Sequence, residues 1–533
     1  MGSDDVAWGS IMTQVGGDGG IPTIGLAYLL RDTFSGDLAA GNVNGTTADT
    51  GQTRTVVDTN SKLTTSGGQA VFATGGAGSG DPGLWYPSVT TVSGMILIIN
   101  MIPGNSADGG AFGWDSNQSG LIQNALRFAS SALQFIVGGT PVSIGAFTIS
   151  VTYKLILVQR PGGGYWGFAK GGSQYPTIRL VWINTTGAPG ALFPSVGNAG
   201  NAFNADDIRI PAGVTYIPQP LAYDAFTRSD GALGSTETTG PDSQVLSALA
   251  WQFTVGIWTI STNKAIATPV PGADVIVNGG FDADSDWTKG AGWAIAAGVA
   301  TATASSADLE QTVPPLTVGK WYRVQYTVSG FAAGSVSARV GTTLLPSLGG
   351  NGTVVQYDRA DATSFMMRGN SGFSGSIDNV SAKELATAEL LASVQVSTAD
   401  VIADVAVTLI GSGTGRPAGL VLNLDSTSNP QNFILCYLDG IGRCVLDECV
   451  AGVYTNKILT AITYSAGAVL RVIRDGTSCR VFYNGAAVST VQAMTANTNL
   501  NHGIFSTDAA NSLDGFTLWP RGVNSEFAQL DLY

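Results

Sequence analysis

Short runs rich in apolar residues, each broken after ~8–12 positions by Gly, Asn, Asp or Ser, recur along the chain. Met95-Ile96-Leu97-Ile98-Ile99, Tyr153-Lys154-Leu155-Ile156-Leu157-Val158, Leu470-Arg471-Val472-Ile473 and Arg480-Val481-Phe482-Tyr483 have the length of strands and are too short for a helix with one buried face. A helical period is almost absent, and only the stretch Ser119 to Phe128 predicts a helix. The pattern predicts an all-β protein of sandwich type.

The runs also repeat at long range. Asp32-Thr33-Phe34-Ser35-Gly36-Asp37 returns loosely as Asp224-Ala225-Phe226-Thr227-Arg228-Ser229-Asp230-Gly231, an aromatic among turn residues each time. Asn204-Ala205-Asp206-Asp207-Ile208-Arg209-Ile210-Pro211 returns as Asn511-Ser512-Leu513-Asp514-Gly515-Phe516-Thr517-Leu518-Trp519-Pro520. Between them, Leu155 to Arg160 and Gly167 to Gly172 correspond to Arg471 to Gly476 and Val481 to Gly485. Two modules therefore share an opening strand, a hairpin and a closing strand.

The second copy is longer than the first by more than a small domain, which predicts an insertion. The segment from about Asp274 to Leu385 has its own opening, Val277-Asn278-Gly279-Gly280-Phe281-Asp282, and its own closing strand, Gly375-Ser376-Ile377-Asp378-Asn379-Val380-Ser381. Domain termini often lie close together, so a surface loop accepts such an insert. Pro269, Pro271 and Gly272 mark one hinge and Ala386-Thr387-Ala388 the other. The expected division is an N-terminal arm (1–30), a first sandwich (31–220), a second, discontinuous sandwich (221–273 with 387–533) and the insert (274–386).

Composition narrows the classes. Charged residues are 12% of the 533 positions while Gly fills 71, and the 44% hydrophobic share argues against disorder. A net charge of −13 without a Lys/Arg run excludes nucleic acid as an expected partner. The opening Met1-Gly2-Ser3-Asp4-Asp5 lacks the basic and apolar regions of a signal peptide, and no apolar run approaches the ~18 residues of a membrane span. The expectation is a chain without membrane insertion that stays in the cytosol or leaves inside an assembled particle. Cys436, Cys444, Cys449 and Cys479 lack paired CxxC spacing, leaving buried thiols, local disulfides or a metal site open.

The outer repeat, with its Asp-x-Phe opening, Trp251, Asn263-Lys264-Ala265, Thr268-Pro269 and the closing strand, resembles laminin-G and concanavalin A-like sandwiches, particularly the divergent copies of phage structural proteins. The insert resembles the galactose-binding-type jelly roll of carbohydrate-binding modules. It carries Asn278-Gly279-Gly280-Phe281, Asp286-Trp287, Gly292-Trp293, Leu309-Glu310-Gln311, Gly319-Lys320-Trp321-Tyr322-Arg323-Val324 and Ser376-Ile377-Asp378-Asn379-Val380 in order. The resemblance implies two laminin-G-like sandwiches, the second interrupted by a β-sandwich jelly roll.

It also implies where ligands would bind. Trp287, Trp293 and Trp321 are the insert's candidate sugar-stacking rings, although the same three match core positions of the family; Tyr357, Arg359 and Arg368 are further glycan-binding candidates. By the same resemblance a calcium ion would be held by Asp378 together with the segment at Asp282. Two aromatic-rich turns, Asp81 to Pro87 and Gly162 to Trp166, are candidate contact surfaces. The acidic pairs Asp206-Asp207 and Asp447-Glu448 read as turns or strand ends, and the only histidine, His502, reads as structural or exposed.

No catalytic pattern of carboxylates stands on one strand, so no enzyme is expected. The functional expectation is a bacteriophage virion protein: a tail fibre, tail tip or capsid decoration that presents glycan-binding-like modules to a host-surface glycan. The N-terminal arm would dock on other virion proteins, and the chain would form a homo-oligomer such as a trimer. A bacterial glycan adhesin and a polysaccharide-degrading tail enzyme are the alternatives.

Overall fold

The computed structural model describes residues 27–533 except 40, 58–61, 74–82, 90–91, 105–107, 116–123, 138–139, 162, 185–192, 198–201, 214, 410–414, 523–526, 528–529 and 531–533. The expected arm therefore lies outside the described residues up to 26. Its last residues belong to Tyr28–Asp32, a strand of the first sandwich. The described chain is all β, with a single turn of 3-10 helix at Thr387–Leu390, and no helix in it is long and apolar enough to cross a membrane.

Five sheets form. In the first sandwich one sheet runs Tyr175–Asn184, Tyr165–Gly171, Tyr153–Gln159, Ile96–Pro103, Phe203–Pro211, Gln69–Phe72 and Leu63–Ser66, with Tyr28–Asp32 also on Phe203–Pro211. Its partner runs Thr140–Ala146, Ala132–Val137, Asn124–Ala129, Asp108–Asp115, Phe193–Gly197, Gly83–Trp85 and Thr55–Val57. The helix predicted over 119–128 is thus corrected: residues 119–123 lie outside the described set, and Asn124–Ala129 is a strand paired on both sides.

The second sandwich repeats this plan. Trp258–Ser261, Lys264–Ala267, Ser512–Pro520, Val401–Thr408, Ala468–Asp475 and Ser478–Tyr483 follow one another in one sheet. Gln252–Phe253, Leu391–Gln395, Asn501–Ser506, Ala418–Leu424, Phe433–Leu438, Arg443–Val450 and Val453–Ala461 make the other. Asp32 pairs with Ile208 as Asp224 pairs with Phe516. Both closing strands bulge two residues earlier, with Asp206 and Asp207 on one side and Asp514 and Gly515 on the other. Asp207 (φ 52°) and Gly515 (φ 58°) share the left-handed conformation that such a bulge requires.

Register also corrects the expected hairpin by one residue. Ile156 pairs with Phe168 and Arg471 with Phe482, so Leu155 corresponds to Leu470 and not to Arg471.

Within the insert, two long strands, Trp321–Val340 and Phe365–Leu385, pair along nearly their whole length. Register shifts between Gln325 and Thr327 and between Ser329 and Ser335 bend the pair, so each strand serves both layers around one core. The two linkers lie side by side: the Gly272 N–H donates to the Glu384 carbonyl at 2.8 Å, and the Val270 N–H to Glu389 Oε2 at 2.7 Å.

Buried polar and aromatic contacts join the modules. Between the sandwiches, Trp166 meets Trp519 at 5.9 Å and Trp182 meets Phe482 at 4.7 Å. Arg160 pairs with Asp242 at 2.8 Å, and Arg179 and Arg521 share Asp475. Arg471 binds Asp404, stacks over Trp182 and donates to the Ile183 carbonyl at 2.8 Å.

Candidate functional site

The structure distributes the predicted site residues over three surroundings. Trp287 and Trp293 lie in the core of the insert, 5% and 7% exposed. Their indole N–H groups donate to the carbonyls of Asn278 and Ala307 at 3.0 and 2.9 Å. Trp321, Tyr357 and Arg359 form the seam between the insert and the second sandwich. Trp321 packs against Phe505 and Tyr437, the Tyr357 hydroxyl donates to Asp508 at 2.5 Å, and Arg359 pairs with Asp447 at 2.9 Å while stacking on Tyr454. Trp287, Trp293, Trp321 and Tyr357 are buried and Arg359 is 15% exposed, so protein fills most of the surface a sugar would use. Arg368 is the most exposed of the six, at 41%, and pairs there with Asp308.

Asp447 is accordingly not a turn residue. It sits buried in Arg443–Val450, receiving Tyr437 and Asn456 as well as Arg359. Nearby Asp358 has a buried Oδ2 without a partner among the described residues, and burial pushes its carboxyl up to about 7.

At the expected calcium position Asp282 is exposed, and Asp378 accepts from the backbone and side-chain amides of Asn379. The neighbouring carbonyls of Ala283 and Ser285 accept from the Asn278 amide at 2.7 and 3.0 Å, so that amide already binds oxygens a cation would seek. No group of three or more His, Cys, Asp or Glu side chains among the described residues could hold a metal. The four cysteines are buried free thiols, and burial raises Cys449 to about 11 and Cys479 to about 12. In the aromatic turns, residues 81, 82 and 162 lie outside the described set, while Trp85, Tyr86, Tyr165 and Trp166 are buried; Trp166 is taken up by the seam with the second sandwich, and the four offer no surface to an outside partner.

A different place has the geometry of a site. A cleft of about 290 Å³ opens at one end of the second sandwich, between Asn432-Phe433-Ile434, Glu448-Cys449-Val450 and the loop Thr495 to Asn499. The loop is held from behind. Arg474, fully buried, donates to the Thr495 carbonyl at 3.1 Å and to Asn423 Oδ1 at 3.3 Å. The Asn423 amide donates to the Asn499 carbonyl at 2.9 Å, and Asn497 donates to the Asn423 carbonyl at 2.9 Å.

On the cleft wall, Glu448 Oε1 accepts from the Thr495 N–H at 2.5 Å and Oε2 meets Lys457 at 3.0 Å. Burial alone would raise this carboxyl, but Lys457 and Thr495 outweigh it and hold the group below its ordinary range. His502 completes the network as a neutral ring. Its Nδ1 accepts from the Asn423 N–H at 3.4 Å, Nε2 faces the Thr398 carbonyl at 3.2 Å, and burial lowers it to about 4.

Sequence reasoning missed this cleft. Its signals were polar residues in otherwise apolar strands, Asn423 in Leu420-Val421-Leu422-Asn423-Leu424 and Arg474 at the end of Leu470-Arg471-Val472-Ile473-Arg474, and the polar run Asn497-Thr498-Asn499.

No family model matches the chain, and no curated protein matches it. Among solved structures it is similar to the carbohydrate-binding module CBM66 from Bacillus subtilis, with 13% identity over 24% of this chain and 78% of that one and a TM-score of 0.18. It is also similar to domains LG4-5 of the mouse laminin alpha1 chain, with 9% identity, 80% and 82% coverage and a TM-score of 0.16. A third is the xylan beta-1,4-xylosidase from Bacillus halodurans C-125, with 9% identity, 90% and 88% coverage and a TM-score of 0.19.

Proposed function

We propose that this chain is a non-enzymatic structural and adhesion protein of a bacteriophage particle, a tail fibre, tail tip or capsid decoration that presents sandwich modules to a host-surface glycan. The observation that carries the reading is the way the modules are joined. Buried Arg–Asp pairs and interlocking rings at both seams suit a stiff spacer that holds a binding surface at a set distance.

The titratable groups point the same way. Asp32, Asp224, Asp242, Asp447 and Glu448 are each engaged by an Arg or Lys, which suits a scaffold better than acid–base chemistry. The single histidine is locked between backbone groups of the core.

A glycan array probed with the full chain, with reducing-sugar release measured in parallel, tests adhesion. Binding without sugar release is expected; sugar release, or an array without binding, overturns it. Mass spectrometry of purified particles tests the location, and absence of the chain from them would remove the virion part of the reading.

A further inference from the structure

We infer that the cleft between Asn432, Glu448 and the loop Thr495 to Asn499 is the binding site for one neutral sugar residue, and that the second sandwich, not the insert, carries the adhesion surface. This rests on the adhesion reading above and adds a ligand class and a place.

Size comes first. A volume of about 290 Å³ lies at the lower end of the ~300–1,000 Å³ range of small-molecule pockets, which suits a single ring and not a long chain. The lining is next. Val450, 41% exposed, offers an apolar shelf for the C–H face of a ring, while Thr498 and Asn499 face it from the loop. Among the described residues, the Thr498 hydroxyl and the Asn499 carboxamide are engaged in no hydrogen bond, so both are free to exchange donors and acceptors with hydroxyls.

Charge selects the class. Glu448 is balanced by Lys457, so the cleft holds no spare cation to compensate an acidic sugar. A chain of net charge −13 adds long-range repulsion against one.

Arg474, Asn423 and His502 are all fully buried, and burying such groups is costly unless each is satisfied. Here all three are satisfied by one another, by the loop Thr495 to Asn499 and by backbone carbonyls next to it. A loop fixed in advance loses little freedom on binding, so a small polar ligand keeps more of its contact energy.

Saturation-transfer NMR on the full chain tests this, with glucose, galactose, mannose and N-acetylglucosamine as neutral probes and glucuronate and N-acetylneuraminate as acidic ones. At least one neutral sugar is expected to receive saturation and the acidic ones none. Asn499→Ala and Thr498→Ala, both on the surface loop, are expected to weaken that binding about tenfold, the scale of one lost hydrogen-bond partner. Arg368→Ala, on the surface of the insert, is expected to leave it unchanged.

Transfer to no neutral sugar, equal transfer to the acidic ones, or binding that survives both loop variants but not Arg368→Ala would overturn the inference. Array binding that persists in both loop variants would discard the cleft and leave adhesion standing. Saturation transfer lost in those variants, together with an array showing no binding, would discard adhesion and keep the cleft.

Discussion

Asp32 and Asp224 occupy equivalent places in the two outer sandwiches, each buried at the end of an opening strand and each accepting the N–H of a phenylalanine two residues on, at 3.0 and 2.8 Å. Both phenylalanines, Phe34 and Phe226, are held at positive φ. The partners differ. Asp32 is met by Arg54, 22 residues away, and by the Tyr86 hydroxyl at 2.6 Å. Asp224 is met by Arg228, four residues away, and by the Trp251 indole at 2.8 Å. What the repeat keeps is the need of a buried carboxylate for a guanidinium and one neutral donor. The chain satisfies it with different residues from segments that flank the strands.

Removing the carboxylate should set the two sandwiches furthest apart in stability. Asp32→Ala strands Arg54, whose side chain is 7% exposed, and is expected to cost about 3–5 kcal/mol. Asp224→Ala leaves an Arg228 that is 31% exposed and can turn to water, so about 1–3 kcal/mol is expected. Denaturant unfolding with module-resolved hydrogen exchange checks both; equal losses would show that exposure of the arginine does not matter.

Acid separates the two sandwiches next. His502, the only histidine, is in the second. Its folded value of about 4 lies below the ordinary ~6.5, so the unfolded chain takes the proton first and stability falls as pH drops from about 6.5 to 4. The loss approaches about 3–4 kcal/mol at ~1.4 kcal/mol per unit, and His502→Gln should remove it. Asp358 acts in the opposite sense: raised to about 7, it stabilises at low pH and loses that contribution as pH rises from its ordinary ~4 through 7. Asp358→Asn should flatten that limb. Hydrogen exchange across pH 4–7 reads both, and an equal acid response of the first sandwich would contradict the assignment.

Deleting only the neutral donor is gentler. Tyr86→Phe leaves Asp32 with Arg54 and is expected to cost about 1–2 kcal/mol in the midpoint of unfolding. Smallest is Gly515→Asp, which copies Asp207 at the matching bulge. Nothing lies within 4 Å of a Cβ placed at Gly515, so a change below about 1 kcal/mol is expected, and a larger one would mean the bulges are not equivalent.

Strands and the long repeat were legible in the sequence because alternation, turns and the Asp-x-Phe opening are local. The partners of those aspartates were not, since Arg54 and Arg228 stand at unrelated spacings. The candidate site fared worse for the same reason. Trp321 and Trp287 look alike in sequence, yet one faces the neighbouring sandwich and the other its own core, and no local pattern encodes which. Asn423 and Arg474 were visible as polar residues in apolar strands, but their convergence behind one loop depends on two strands in different sheets.

The last strand of the second sandwich continues across the outer edge of the first. Backbone and side chain of Arg521 bond to Leu180, the Gly522 carbonyl accepts from Thr177, and Phe527 and Leu530 join the first core. An unpaired strand edge invites pairing with other chains until something covers it. During synthesis the edge at Tyr175–Asn184 is complete more than 300 residues before its cover, since Leu180 and Arg521 are 341 apart. The first sandwich must therefore wait, edge open, while more than 300 further residues are made, and it becomes safe from its own copies only when Arg521 and Gly522 arrive.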